Sequence, residues 1–279
     1  MRIVDTHLHL VYPERFSYPW LAGAPAINHP WTAESYFAEA EPLGITSALH
    51  MEVDVAEADM MAETEFVADV HPRVIGAIAA ARPESVKFPA QLEQLAAMDH
   101  VRGVRRILQQ PTGSPPLDDR FAANIRRLGP VGFTFDLCVR ADQLPDAAGL
   151  VDRCPDVQFV LDHCGVPDIV GGGLDPWRAD ITDLARRTNV AVKFSGIVAY
   201  AGPDWTVDDL RPYGEHVIAA FGWDRVVWGS DHPVCTFTAD LTRWVEATHA
   251  LLQGAAEHER AALLHANAER IYGIPSGAR

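Results

Sequence analysis

Two histidines separated by one residue, in Asp5-Thr6-His7-Leu8-His9, close an apolar run near the start of the chain. In an extended strand alternate residues share a face, so these imidazoles can converge on one point. Such a pair can hold a divalent ion or polarise a carbonyl. Trp228-Gly229-Ser230-Asp231-His232-Pro233 is a second chemical cluster. A carboxylate beside a metal or an imidazole pair can take a proton from water, and that role is assigned to Asp231. The plain alternative is a turn aspartate that caps a helix, and His232 is expected either to support Asp231 or to pack. In the third cluster, Leu161-Asp162-His163-Cys164-Gly165, His163 is a metal or substrate candidate and Asp162 is expected to orient a neighbour.

Four further residues are candidates for substrate contact. Arg105 suits a carbonyl or carboxylate oxygen, against the alternative of a salt bridge at a rim. Glu52 follows an apolar run and can face the same centre. Lys193, with Ser195 just beyond it, is placed at a strand end. Trp31, like Trp20 and Trp205, falls in a loop, where an indole can stack on the apolar face of a sugar or simply anchor packing.

For these residues to meet, distant strands must end at one place. Eight short apolar runs read as strands: Ile3–His7, Thr46–His50, Val74–Ala81, Val101–Leu108, Gly132–Val139, Val157–Asp162, Val190–Phe194 and Arg225–Trp228. Helical spacing fills the intervals: Ala33–Pro42, Ala56–Val70, Ser85–Met98, Asp118–Leu128, Ala141–Arg153, Pro176–Arg187, Val207–Phe221 and Ala239–Leu252. Thr32, Asp118 and Asp142 are suited to cap the helices that follow them. Alternating strands and helices imply one parallel sheet, and closing it gives a (β/α)8 TIM barrel. A doubly wound open sheet is the alternative, but no GxGxxG follows the first strand. Each candidate follows or ends a strand, on the face where barrel enzymes keep their chemistry. Long segments after the first and sixth strands, Val11–Trp31 and Gly165–Pro176, belong on that face too. Glu257–Ile274 reads as an extra helix with a short cap.

The chain of 279 residues carries neither repeats nor a linker, so residues 1–279 are expected to form a single domain. The net charge of −15 argues against nucleic acid and anionic membranes, which need a basic face. It leaves a small-molecule substrate open, and a homo-oligomer is compatible with it. No apolar run reaches the roughly 18 residues of a membrane span. The start lacks an apolar signal core, and the four cysteines form no CxxC. Free thiols and a cytoplasmic location are therefore expected.

DTHLHL at the first strand, DHCG at the sixth, WGSDHP at the eighth and the ending NAERIYG together resemble the amidohydrolase superfamily, spanning residues 3 to 273. Within it they are similar to the amidohydrolase-2 group that contains sugar-acid lactonases. The resemblance implies a distorted (β/α)8 barrel and hydrolysis of an ester, lactone or amide. It implies a metal-ligand set of His7, His9, His163 and Asp231; from the residues' own chemistry Asp231 is the expected catalytic acid–base group, with His163 and Arg105 assisting. The expected cofactor is one divalent ion, zinc first. Strand four offers Arg105 where dinuclear members carry a carboxylated lysine, and strand five lacks the histidine of many mononuclear members. A dinuclear centre is therefore not expected. The expected substrate is an L-fucono- or L-rhamnono-lactone. The alternatives are a dicarboxylate lactone of the 2-pyrone-4,6-dicarboxylate type, a metal-dependent decarboxylation, or a catalytically silent binding barrel.

Overall fold

Every strand expected from the sequence forms, in the expected order. In a computed structural model that describes residues 1–109 and 117–275, the strands are β1 (Ile3–Leu8), β2 (Ile45–Met51), β3 (Val74–Ala80), β4 (Val101–Ile107), β5 (Thr134–Cys138), β6 (Phe159–Leu161), β7 (Val190–Phe194) and β8 (Val226–Trp228). All pair in parallel in the order β1 to β8. The last strand returns to the first: Asp231 N donates to His7 O at 2.9 Å and His9 N to His232 O at 2.8 Å. Chemistry and barrel closure thus share the same few residues. β1, β5, β6, β7 and β8 are buried along their whole length. Such two-sided burial explains why they read as apolar runs rather than as alternating patterns.

The helical layer starts where the caps say. Thr32 accepts from Ser35 N at 3.2 Å ahead of Ala33–Ala40, and Asp118 accepts from Phe121 N at 2.9 Å ahead of Asp119–Ile125. Asp142 does not cap. Arg140 holds both of its oxygens at 2.9 Å, and the turn Ala141–Gln143 is closed instead by Gln143 Oε1, which accepts from Arg140 N. A fork-shaped ion pair outcompetes a single amide for that carboxylate. Other helices are shorter than their periodicity suggested, because single 3-10 turns such as Glu57–Asp59 lead into them. Val207–Phe221 matches its expected bounds.

The C-terminal segment has a structural task. Its helical turns Glu257–Ala261, Ala262–Ala266 and Asn267–Ile271 bring Ala268, Tyr272 and Ile274 against Val4, Leu49, Ile78, Val160 and Val227. Those five side chains come from β1, β2, β3, β6 and β8, so they meet inside the barrel, which the segment plugs. Asn267 Nδ2 fastens it by donating to Val226 O at 2.8 Å. No helix among the described residues is long and apolar enough to cross a membrane. Cys138, Cys154, Cys164 and Cys235 are free and buried.

Candidate active site

Asp231 follows β8 with a left-handed backbone, φ +57°. Strain of this kind persists at functional sites, where the surroundings over-determine it. One carboxylate oxygen, Oδ1, lies 3.6 Å from His7 Nε2 and 3.5 Å from His9 Nε2; the other, Oδ2, lies 3.9 Å from His163 Nδ1 and has no hydrogen-bond partner among the described residues. Burial raises its pKa to about 6. His163 is also left-handed, φ +52°, and Ser195 Oγ lies 3.1 Å from its Nδ1. The space between the two is kept by Gly196: a Cβ there would fall 2.3 Å from His163 Nδ1 and 2.6 Å from Asp231 Oδ2. Gly229 does the same beside β1, where a Cβ would sit 2.8 Å from that of His7.

His9 Nδ1 donates to Met51 O at 3.0 Å, which leaves Nε2 as an acceptor facing Asp231. Desolvation pushes the pKa of His9 down to about 3, and burial also lowers those of His7 and His163. All three rings are therefore neutral near pH 7, the form that binds a metal.

Beneath the imidazoles lies a buried ionic layer. Lys193 Nζ is 2.5 Å from Asp136, 3.3 Å from Asp162 and 3.2 Å from His7 Nδ1. Tyr272 donates to the same Asp136 oxygen at 3.2 Å. Burial works against the Asp162 anion, but Lys193 and His7 hold its pKa well below the usual carboxylate range. Arg105 is clamped by Glu52, through Nε to Oε1 at 2.6 Å and Nη2 to the backbone O at 2.7 Å, while Nη1 lies 3.3 Å from His7 Nε2. Burial opposes the Glu52 charge as well, and Arg105 overrides it to keep that pKa low.

A cavity of about 200 Å³ opens above this floor. His9, His163, Asp231 and Arg105 line its base; Trp20, Val53, Asp54, Ile107, Gln109, Tyr200, Val234 and Phe237 form its walls. Of the residues expected at the site, His7, His9, His163, Asp231 and Arg105 come together. Three others correct the expectation of substrate contact. Glu52 is buried and spent on Arg105, and Lys193 is wholly buried under His7, because neither charge could stay inside without its partner. Trp31 is drawn aside by pairing with Val11 and by packing on His232, 4.9 Å between rings, so Trp20 supplies the indole in the wall. His232 packs between Trp31 and Tyr36, and Trp205 anchors Arg243. Asp162 contacts His7 at 3.4 Å, as expected of an orienting residue. Asp54, Gln109 and Tyr200 were missed; nothing in their own loops marks them, since only closure of the barrel brings those loops together. Asp136 did carry a signal, a carboxylate inside an apolar strand.

Two overlapping triads could hold an ion: His7, His9 and Asp231, or His7, Asp162 and His163, in each case with ligand atoms within 4.8 Å of one another. The first fits better. Its 3.5–3.6 Å spacings are close to the roughly 3.3 Å between ligands about 2 Å from a tetrahedral ion. In the second, Asp162 already faces Lys193 and Arg105.

A (β/α)8 barrel with a neutral histidine cluster and a buried carboxylate at the C-terminal ends of its strands is an enzyme architecture. Residues 4–274 match the Amidohydrolase family, and the chain belongs to it. It is 29% identical to an L-fucono-1,5-lactonase of Burkholderia multivorans, over 99% of this chain and 97% of that one. It is 28% identical to a 4-sulfomuconolactone hydrolase of Rhizobium radiobacter, covering 82% and 75%. Its fold matches a crystal structure of a Burkholderia multivorans amidohydrolase with bound zinc, TM-score 0.88 and 24% identity, over 99% of this chain and 100% of that one.

Proposed function

We propose that the protein is a lactonase that opens the ring of a neutral sugar-acid lactone, of the L-fucono- or L-rhamnono-lactone kind. The observation that carries this reading is the Asp231 carboxylate. It is buried on the cavity floor, with a free Oδ2 and a pKa of about 6, beside three neutral imidazoles. A lactone needs an attacking water, a stabilised oxyanion and a proton for the leaving alkoxide. Asp231 takes the proton from water and returns it to the ring oxygen as the C–O bond breaks. Arg105, clamped by Glu52 at the base of the cavity, serves as the charged donor for the developing oxyanion. His163, fixed by Ser195, orients the water on the Asp231 side.

His7, His9 and Asp231 would hold one divalent ion, zinc by the nitrogen and oxygen character of the donors. When bound it would supply Lewis-acid polarisation of the carbonyl and a more acidic water. A second ion has no bridging lysine, since β4 presents Arg105.

Charge supports the neutral lactone over its dicarboxylate rival. Among the described residues lining the cavity, Arg105 is the one fixed cation, it already faces Glu52, and Asp54 and Asp231 add negative charge. Residues 110–116, Gln-Pro-Thr-Gly-Ser-Pro-Pro, carry no basic side chain. A dicarboxylate would be buried with too few partners. The test is a panel of aldonolactones and carboxylated lactones followed with a pH indicator, with chelator or with added zinc. The reading expects turnover of aldonolactones; a tenfold or greater preference for carboxylated lactones would replace it with the rival. The soluble-substrate setting, a cytoplasmic enzyme of carbohydrate metabolism, is part of the same proposal.

A further inference from the structure

Glu52-Val53-Asp54, directly after β2, is a turn whose polar groups bind four different partners. Glu52 Oε1 holds Arg105, while Glu52 Oε2 accepts from Asp54 N at 2.8 Å. Val53 N donates to Glu63 Oε1 at 3.2 Å, and Val53 O accepts from Trp20 Nε1 at 2.8 Å. Asp54 itself is left-handed, φ +48°, a conformation that a non-glycine residue adopts at a cost. The turn thereby sets the Asp54 carboxylate and the Trp20 indole into the same cavity wall. Nothing in the proposed hydrolysis uses either side chain.

The Asp54 carboxylate is only a quarter exposed, and no hydrogen bond to it occurs among the described residues. Its nearest cation is Arg82 Nη2 at 3.7 Å, beyond hydrogen-bond range. An ionised carboxylate offers about four acceptor sites and no donor. Its complement is a group rich in O–H donors. An indole beside it offers a flat apolar face with a polar tip already satisfied, which suits the C–H face of a sugar ring. The cavity thus has a reactive floor and, on the β2 side, a wall that asks for adjacent hydroxyls on a ring.

We infer that Asp54 and Trp20 form the hydroxyl-recognition subsite of this enzyme, with Asp54 accepting hydrogen bonds from two neighbouring hydroxyls of the lactone and repelling substrates that carry a carboxylate there. The inference rests on the lactonase reading and deepens it, by assigning which residues select a polyhydroxylated neutral substrate. Asp54 is a specificity residue, remote from the reacting bond. Its removal should therefore appear in KM and in the ratio between substrates, more than in kcat.

Two substitutions separate acceptor from charge. Asp54→Gly removes the side chain and suits the positive φ, so the turn keeps its shape. Asp54→Asn keeps the size and tolerates the left-handed backbone, but removes the charge. Both are compared with the wild type on an aldonolactone, on hydroxyl-free δ-valerolactone and on a carboxylated lactone. Losing two charge-assisted bonds should cost on the order of 10- to 100-fold in KM for the aldonolactone. For Asp54→Gly, the ratio of kcat/KM between the aldonolactone and δ-valerolactone should fall at least about tenfold. For Asp54→Asn, the ratio between the aldonolactone and the carboxylated lactone should fall, through relief of like-charge repulsion. If all substrates lose efficiency together, Asp54 merely shapes the turn and the subsite is wrong, while the lactonase reading stands. A wild type that turns over no aldonolactone overturns both.

Discussion

The two ends of one barrel solve the same packing problem in opposite ways. At the end closed by the C-terminal segment, Val4, Leu49, Ile78, Val160 and Val227 meet Tyr272 and Ile274, and shape alone fills the space. At the other end His7 of β1, Arg105 of β4, Asp136 of β5, Lys193 of β7 and Asp162, just after β6, are all buried. Apolar packing needs no partners beyond contact. Buried charge is stable only if each member finds its opposite. The difference separates two kinds of layer: the first fills the barrel by shape, and the second brings buried charge to the floor of the proposed active site. Tyr272 joins the two, with its ring in the plug and its hydroxyl on Asp136.

The comparison breaks first at Lys193. Replacing it by methionine leaves Asp136 and Asp162 in a buried interior without their shared cation. The expected loss is about 3–5 kcal/mol of stability, a large part of the roughly 5–15 kcal/mol a domain has. Chemical denaturation reads it directly; a wild-type midpoint would mean that this ionic layer is not held together as described. Asp231→Asn should instead spare the fold and lower kcat by at least roughly 100-fold, because an amide cannot take the water's proton. A variant keeping more than about a tenth of wild-type turnover would remove Asp231 from the chemistry.

Acidity sharpens the same contrast. Burial raises the Asp231 pKa to about 6, and in the proposed hydrolysis the carboxylate is the active form. As pH falls through 6 the base is protonated, so kcat/KM should drop towards tenfold per unit below that value and level off above it. A profile flat down to about pH 4.5 would contradict the assignment. The smallest effect belongs to Tyr272→Phe, which loses one hydrogen bond of about 1 kcal/mol. Denaturation should register that loss while kcat stays within about twofold, because the plug lies away from the reacting atoms.

What was legible in the sequence follows from the same physics. Strands buried on both faces announce themselves as apolar runs, so the barrel and its strand order could be read from end to end. Residues at strand ends inherit a known direction, which is why His7, His9, His163, Asp231 and Arg105 could be placed together from the sequence. Pairing between charges could not be read: Glu52 and Lys193 sit at correct strand ends, yet their partners lie 53 and 57 residues away. Loop walls were hidden for a similar reason. Trp20 and Trp31 belong to one loop and have the same chemistry, and only the bridge between Val11 and Trp31 decides which indole meets the cavity. Asp142 shows the local version, a good capping residue claimed by the arginine two positions before it.

The central proposal is that Asp231, on a floor where Arg105 is the one fixed cation among the described lining residues, hydrolyses a neutral sugar-acid lactone. It is tested most directly by following acid release from L-fucono-1,5-lactone with wild-type protein and with Asp231→Asn side by side. The account predicts rapid, enzyme-dependent acidification by the wild type and at least a roughly 100-fold slower rate for the variant. Equal rates for the two proteins, or a wild type that leaves this lactone untouched while opening a dicarboxylate lactone, would contradict it.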